Sequence, residues 1–107
     1  MRSPEIFKIE ALPSRNLGRC YNAYPTRVTS SQPLSGKALW ALRDVVGILG
    51  HGQEFSYHQV DGEGRKIASV PDDLPVKNYR TDVVPSARVE DRDLYIYLAE
   101  SRVDSSD

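Results

Sequence analysis

Two histidines and a glutamate lie close together in the chain and could hold a metal ion. His51, Glu54 and His58 offer imidazole and carboxylate groups, which are common zinc ligands. A zinc protease would need the order His-Glu-x-x-His on one helix, and this order is absent. On a strand, Glu54 and His58 share a face but lie four residues apart, too far for one ion to contact both. We therefore predict no metal site.

A glycine-containing stretch near the middle of the chain partly matches a phosphate-binding loop. Ser35, Gly36 and Lys37 fit the end of such a loop, which continues with Ser or Thr and has another Gly five residues earlier. Those two positions hold Ala38 and Ser31, so we exclude nucleotide hydrolysis and predict no cofactor. Anion binding by backbone N–H groups at a helix start here stays open as an alternative.

Arginine and tyrosine are interspersed in residues 15–27. Arginine on phosphates with tyrosine stacked on bases holds single-stranded nucleic acid, and the same residue types are enriched in protein interfaces. A half-exposed edge strand is the simpler interpretation. Besides Arg15, the stretch supplies four interface candidates: Tyr21, Tyr24, Arg19 and Arg27.

Length and composition describe one ordinary folded domain. Of the 107 residues, 39% are hydrophobic and 27% are charged, so the chain can bury a core. The net charge of −1 argues against broad non-specific binding to nucleic acid. We expect no membrane segment and no signal peptide, since no apolar run is long enough and the N-terminus lacks the pattern. The lone Cys20 agrees with a reducing compartment, and we expect a cytoplasmic protein.

Residues 35–49 form the clearest element, an amphipathic helix. Ser35 can accept a hydrogen bond from the first turn, and Gly50 can end the helix in a left-handed conformation. Apolar residues recur between them at helical spacing and make one wide apolar face. Because such a face must be buried, the helix has to pack on a sheet or on another subunit. Trp40 lies at the edge of this face, where it could line a pocket or an interface.

Strands are predicted before the helix. Residues 5–9 alternate apolar and polar side chains, as a strand does. Residues 11–18 are rich in loop-forming residues and are expected to form a loop. Residues 19–30 favour extended backbone, but Pro25 interrupts them, so we expect two short strands or one bent edge strand.

Two hairpins are predicted after the helix. Residues 54–60 and 65–70 should pair, because the turn between them is rich in Gly and Asp. A further strand is expected in residues 76–84. In the second hairpin, Arg88–Val89 should pair with Tyr95–Ile96 across a charged turn.

The sequence LYIYLA near the C-terminus is the best strand of the chain. We expect Leu94, Ile96 and Leu98 to face the helix, which places Tyr95 and Tyr97 on the opposite surface. If no other part of the chain covers these two tyrosines, they form a patch for a homodimer or another partner. Tyr95 and Tyr97 are therefore the leading interface candidates.

A pocket between helix and sheet is the alternative to an interface. Its candidate lining residues are Trp40, Tyr57 and His58. His58 could act as a base only if a carboxylate such as Glu54 or Asp82 oriented its imidazole ring.

These observations predict an α+β fold, a single antiparallel sheet of about five strands with one amphipathic helix packed on one face. Residues 1–100 would form one domain, and residues 101–107 a frayed polar tail. We expect a small soluble protein-binding or regulatory module that acts stoichiometrically on a protein partner or as a homodimer. A small ligand-binding domain or enzyme, and a weak single-stranded nucleic-acid binder through residues 15–27, stay open as alternatives.

Overall fold

The structure is a computed structural model that describes residues 6–18, 21–46, 54–73 and 84–104. These ranges contain seven strands and one helix. In chain order the elements are β1 Ile6–Ala11, β2 Arg15–Gly18, β3 Tyr21–Ser30, α1 Gly36–Val46, β4 Glu54–Val60, β5 Lys66–Ala68, β6 Ala87–Val89 and β7 Arg92–Asp104.

The predicted α+β class with about five strands is wrong, because the described part of the chain is mostly β. Its seven strands form an antiparallel sheet in the order β1-β3-β7-β4-β5, in which β2 also pairs with β3 and β6 with β7. The strand count was too low because β3 and β7 are long, and each pairs with two shorter strands along one edge. Thus β1 and β2 follow each other along β3, and β4 and β6 follow each other along β7.

Pro25 explains why β1 and β2 are separate strands. Its carbonyl accepts a hydrogen bond from the backbone N–H of Leu12 at 2.9 Å. The N–H and C=O of a residue in an antiparallel strand point to the same edge, and proline has no N–H to return the bond. The neighbouring strand is interrupted at residues 12–14, whereas β3 itself runs through Pro25 without a break. The predicted broken edge strand is therefore a continuous central strand, and the predicted loop in residues 11–18 contains β2.

The face of β7 that packs in the core is the opposite of the predicted one. Tyr95 and Tyr97 are only 6% and 1% exposed and pack in the core with Leu39 of the helix. The backbone N–H of Leu34 donates to the Tyr97 hydroxyl at 2.7 Å. Every position in LYIYLA is apolar or aromatic, so alternation cannot tell which face is buried. The other face carries three half-buried side chains: Leu94, Ile96 and Leu98.

The helix begins as predicted. The Ser35 hydroxyl accepts a hydrogen bond from the backbone N–H of Ala38 at 3.2 Å, which is an N-cap. The backbone N–H groups of Gly36 and Lys37 donate to the carbonyls of residues 71 and 72 at 2.7 and 3.1 Å. These bonds use the donors that an anion would need, so the alternative of an anion at this helix start is wrong.

The helix covers less of the sheet than an amphipathic helix packed on one face would. Its first turn is fixed closely, because a Cβ at Gly36 would collide with the Tyr57 hydroxyl. Leu39 is fully buried, but Trp40 is 47% exposed. The side chains from residue 43 onward and the predicted helix end at Gly50 lie outside the described residues.

The first predicted hairpin is confirmed and the second has a different register. β4 pairs with β5 through Gln59 and Val60. In the second hairpin, Ala87–Val89 pairs with Arg92–Leu94 rather than with Tyr95–Ile96. Glu90 and Asp91 have φ angles of 51° and 63° and form the two-residue turn. Positive φ is uncommon for residues other than Gly, so this pair gives no strong turn signal in the sequence.

β7 extends into the segment predicted to be a frayed C-terminal tail. β7 continues to Asp104 and pairs with β3 over its last ten residues, and Ser101 is fully buried. The prediction of fraying from residue 101 is wrong for residues 101–104. Residues 105–107, and the predicted strand in 76–84 up to residue 83, lie outside the described ranges.

Replacing Thr26 by valine should stabilise the protein. Thr26 is fully buried, and its hydroxyl has no hydrogen-bond partner among the described residues. Valine has nearly the same shape without the unsatisfied hydroxyl, so we expect Thr26→Val to raise the free energy of unfolding by about 1 kcal/mol. Urea denaturation measures it, with the half-buried Thr29 changed to Val as the control. A lower stability of Thr26→Val would contradict this account.

Removing the Tyr97 hydroxyl should destabilise the protein. Tyr97→Phe leaves the buried N–H of Leu34 without its acceptor, which should lower the free energy of unfolding by about 1–3 kcal/mol. Burial raises the pKa of Tyr97 to about 12 from its ordinary value of 10.0. Above about pH 10 the unfolded chain can lose this hydroxyl proton while the folded protein still holds it, so the wild-type protein loses stability as the pH rises toward about 12.

Denaturation of both proteins across this alkaline range tests the assignment. The difference in stability between wild type and Tyr97→Phe should shrink above about pH 10, since phenylalanine has no proton to lose. Tyr57→Phe is the comparison: its hydroxyl makes only an exposed, 3.5 Å hydrogen bond to Asp72, and burial raises its pKa too, so its removal should give a change of the same sign but smaller. A difference that stays constant up to about pH 12 would show that Tyr97 is not held protonated by the fold.

Candidate ligand-binding groove

An open groove of about 730 Å³ lies on the sheet face opposite the core. Its floor is formed by side chains of β3, β4 and β7, and its rims by residues 12–14 and 62–64. Apolar lining comes from Leu12, Pro13, Pro25, Val60 and Leu98. The charged and imidazole groups of the lining are those of Arg15, Arg27, His58, Glu63, Glu100 and Arg102.

The register of the central strands brings these side chains together. Leu98 of β7 pairs with Arg27 on one side and with His58 on the other, so the three form a row across the sheet. Two residues further along β7, Glu100 pairs with Pro25 and with Ser56. Side chains two residues apart on a strand point to the same face. The groove therefore collects residues that are distant in sequence.

A buried carboxylate fixes two of the arginines. Glu100 is only 5% exposed, and its two oxygens accept hydrogen bonds from Arg15 Nη2 at 2.5 Å and from Arg102 Nε at 3.3 Å. A buried charge is tolerated only when it is paired and hydrogen-bonded, so this carboxylate holds both guanidinium groups at the groove. A guanidinium group has five N–H donors, and these bonds use one on each.

The third arginine is fixed from the neighbouring strand. Arg27 Nε donates to Glu10 Oε1 at 2.9 Å, and Lys8 Nζ lies 3.2 Å from the other oxygen of this carboxylate. The hydrogen bond from Arg27, and then that from Lys8, hold the pKa of Glu10 below its ordinary value. Glu10 therefore stays ionised, and Arg27 keeps its position at the groove over a wide pH range.

The groove has an excess of positive charge. Three arginines and two glutamates line it, which leaves one positive charge over. One of these glutamates, Glu63, also contacts Arg65 at 2.6 Å. The side chains of Arg15, Arg27 and Arg102 are 57%, 39% and 42% exposed, so a ligand can reach them.

His58 is the imidazole group of the groove. Burial lowers its pKa from the ordinary value of 6.5, and the nearby Lys66 lowers it further, whereas Glu100 acts in the opposite direction. The imidazole is therefore neutral at neutral pH and can donate one hydrogen bond and accept another. It adds positive charge only under acidic conditions.

The predicted pocket residues lie on two different faces. Trp40 and Tyr57 are on the core side. The ring centroids of Trp40 and Phe55 lie 5.1 Å apart in an edge-on arrangement, and those of Phe55 and Tyr57 lie 5.7 Å apart. His58 points into the groove on the other face. The predicted pocket between helix and sheet therefore does not unite its three candidates. The side chains of Glu54 and Asp82 lie outside the described residues.

The six interface candidates are also separated. Tyr95 and Tyr97 are buried in the core and form no exposed patch. Tyr24 pairs with Ser101 and shares the core face, whereas Arg27 points into the groove on the other face. The predicted basic and aromatic surface therefore does not form from these two residues. Arg19 and the side chain of Tyr21 lie outside what the structure describes.

Sequence analysis missed the residues at the centre of the groove. Leu98, Glu100 and Arg102 occur at alternate positions of the strongest strand, which places them on one face. That alternation is the sequence signal for a shared face, but the predicted frayed tail from residue 101 excludes Arg102 from the strand. The partners of Glu100 could not be inferred, because Arg15 lies 85 residues away.

The described residues contain no group of three or more His, Cys, Asp and Glu side chains arranged to hold a metal ion. Within the same ranges, no helix is both long enough and apolar enough to cross a membrane.

Two charged side chains, Lys66 and Glu100, act on the pKa of His58 in opposite directions. We expect Lys66→Gln to raise the pKa and Glu100→Gln to lower it, because each removes one of the opposing influences. Titration of the imidazole proton signals by NMR measures this, with His58→Gln separating the signal from that of His51. Shifts of both variants in the same direction would contradict the assignment.

The same titration has a consequence for stability. Because the pKa of His58 is lower in the folded protein than its ordinary 6.5, folding favours the neutral ring. The folded state should therefore lose stability as the pH falls from 6.5 through the folded pKa, and His58→Gln should lose less over the same interval.

Comparison with known proteins adds no family to this description. The chain matches no protein-family model, no curated protein and no solved structure.

Proposed function

We propose that the protein is a small binding domain that takes an apolar organic anion in the groove. The observation that carries the proposal is the convergence of Arg15, Arg27 and Arg102 beside an apolar floor with one excess positive charge. Guanidinium groups bind carboxylate and sulfonate oxygens through paired hydrogen bonds. The floor provides apolar contact for the rest of the ligand.

The arginines are held before a ligand arrives. Glu100 orients Arg15 and Arg102, and Glu10 orients Arg27. Groups that are already positioned lose less conformational entropy on binding, which favours affinity. The buried carboxylate therefore serves as the fixed centre of the binding site.

The arrangement favours binding over catalysis. A histidine that acts as a base needs a partner to orient its ring. Both oxygens of Glu100, a carboxylate on the same face, are hydrogen-bonded to Arg15 and Arg102. His58 is therefore better suited to contact a ligand than to remove a proton from one.

A protein partner is the second candidate. Trp40 is 47% exposed and continues an aromatic row with Phe55 and Tyr57. Tryptophan is frequent at interfaces, so a partner or a homodimer would use this row rather than the buried Tyr95 and Tyr97. Nucleic-acid binding has less support, because Tyr24 and Arg27 lie on opposite faces. The lone Cys20 still favours the cytoplasm as the proposed compartment.

A fluorescent apolar anion tests the proposed site. Anilinonaphthalene sulfonate should bind the native protein with one-to-one stoichiometry, and Arg27→Gln should weaken binding about tenfold. A hydrogen bond from a charged group contributes about 1.5–3 kcal/mol, which corresponds to tenfold or more. Fluorescence titration at low and high salt measures the affinity, which should fall as salt rises.

Two controls make the test specific. Phenylnaphthylamine, which lacks the sulfonate group, should bind more weakly than the anion and show no sensitivity to Arg27→Gln. Arg88→Gln removes a 67% exposed arginine on the β6 hairpin and should leave the affinity unchanged. Equal binding of the charged and uncharged probes, or equal loss with both arginine variants, would reject the groove as an anion site.

A further inference from the structure

The apolar floor of the groove continues along β7 toward a second cavity. Leu98 lines the groove, and Leu94 lines a cavity of about 320 Å³ further along the same face. Ile96 lies between them, and all three side chains are half-buried although β7 is a central strand. An apolar row of this kind is left partly uncovered by the described residues and is suited to contact a ligand.

We infer that the ligand of the groove is a long-chain monocarboxylate whose hydrocarbon chain lies along Leu98, Ile96 and Leu94. This inference rests on the proposed function and adds the shape and charge of the ligand. The carboxylate would lie at the arginines, and the chain would run toward the second cavity. Ile96 pairs with Thr29 and Val60, so the chain would cross an uncharged row of the sheet.

The length of the row sets the length of the ligand. Four residues separate Leu98 from Leu94, which corresponds to about 13 Å along a strand. With carbon–carbon bonds of about 1.5 Å, an extended chain of about ten carbons covers that distance. A short acid would contact the arginines and Leu98 only.

The charges favour one carboxylate rather than two. The groove has one excess positive charge, which matches a single anion. The second cavity is lined by two cations that already have partners, Lys8 with Glu10 at 3.2 Å and Arg92, and by the carboxylate of Glu90, which would repel a second anion. A second carboxylate at that end would have to compete for these cations, so a hydrocarbon end is favoured.

A chain-length series tests the inference by isothermal titration calorimetry. Hexanoate, octanoate and decanoate are compared below their micelle concentrations. Each added methylene group should tighten binding by up to about fourfold, since burying it contributes about 0.8 kcal/mol. Ile96→Thr keeps the β-branch but replaces the ethyl arm of isoleucine by a hydroxyl group, so it should remove most of the gain from hexanoate to decanoate. Hexanoate, whose chain ends near Ile96 on this scale, should be weakened less by this variant than decanoate is.

Two further variants serve as the control and the alternative to Ile96→Thr in the chain-length test. Ile67→Thr changes a 43% exposed isoleucine on β5 and should keep the full gain with chain length. Leu94→Ser, at the far end of the row, should affect decanoate more than octanoate and serves if Ile96→Thr does not fold. Circular dichroism checks that each variant keeps the fold of wild type.

The outcomes are distinguishable. Hexanoate binding that depends on Arg27, without tighter binding of decanoate, would overturn the chain inference and leave the proposed function standing. An equal gain in Ile96→Thr, Leu94→Ser and wild type would also overturn it. Tighter binding of the ten-carbon dicarboxylate than of decanoate would reject the single-anion assignment. If neither these acids nor the sulfonate probe binds, both proposals fail.

Discussion

The pairing of β3 with β7 determines the rest of the structure. Ten consecutive positions are in register, and the side chains alternate between the core and the groove. A slip of β7 by one residue would exchange Tyr97 with Leu98 and move Glu100 and Arg102 to the core side, away from Arg27 on β3. The Tyr97 hydroxyl opposes such a slip, because it is the acceptor for the backbone N–H of Leu34 just before the helix. One buried contact thus fixes the register and the helix position together.

The buried Glu100 is the second constraint, and its position links stability to binding. A carboxylate on a central strand would be unfavourable alone, so Arg15 and Arg102 must stay close to it from two different strands. The ion pairs need not stabilise the fold relative to an apolar replacement. They keep the guanidinium groups in defined positions at a partly enclosed surface. Defined positions for charged groups are a requirement of a binding site rather than of a core, and this supports the proposal that the groove binds a ligand.

Local signals in the sequence were sufficient for some elements and insufficient for others. The cap at Ser35 and the hairpin formed by β4 and β5 depend on neighbouring residues, and both were predictable. The buried face of β7 was not, because LYIYLA is apolar on both sides and only long-range packing chooses between them. Pro25 is predicted from the sequence to break its own strand, but its missing N–H interrupts the neighbouring strand instead. The groove depends on strand pairs far apart in sequence, which no local pattern encodes.

A central strand that is apolar on both sides gives the sheet two apolar faces. One of them is covered by the core around Leu39, and the other is bounded by arginines and glutamates. Those charges restrict what can cover the second face, because a purely apolar partner would have to desolvate them. An anion with an apolar chain satisfies the arginines and covers the row at Ile96 at once. The same residues that limit non-specific association of the exposed face would therefore select the proposed ligand.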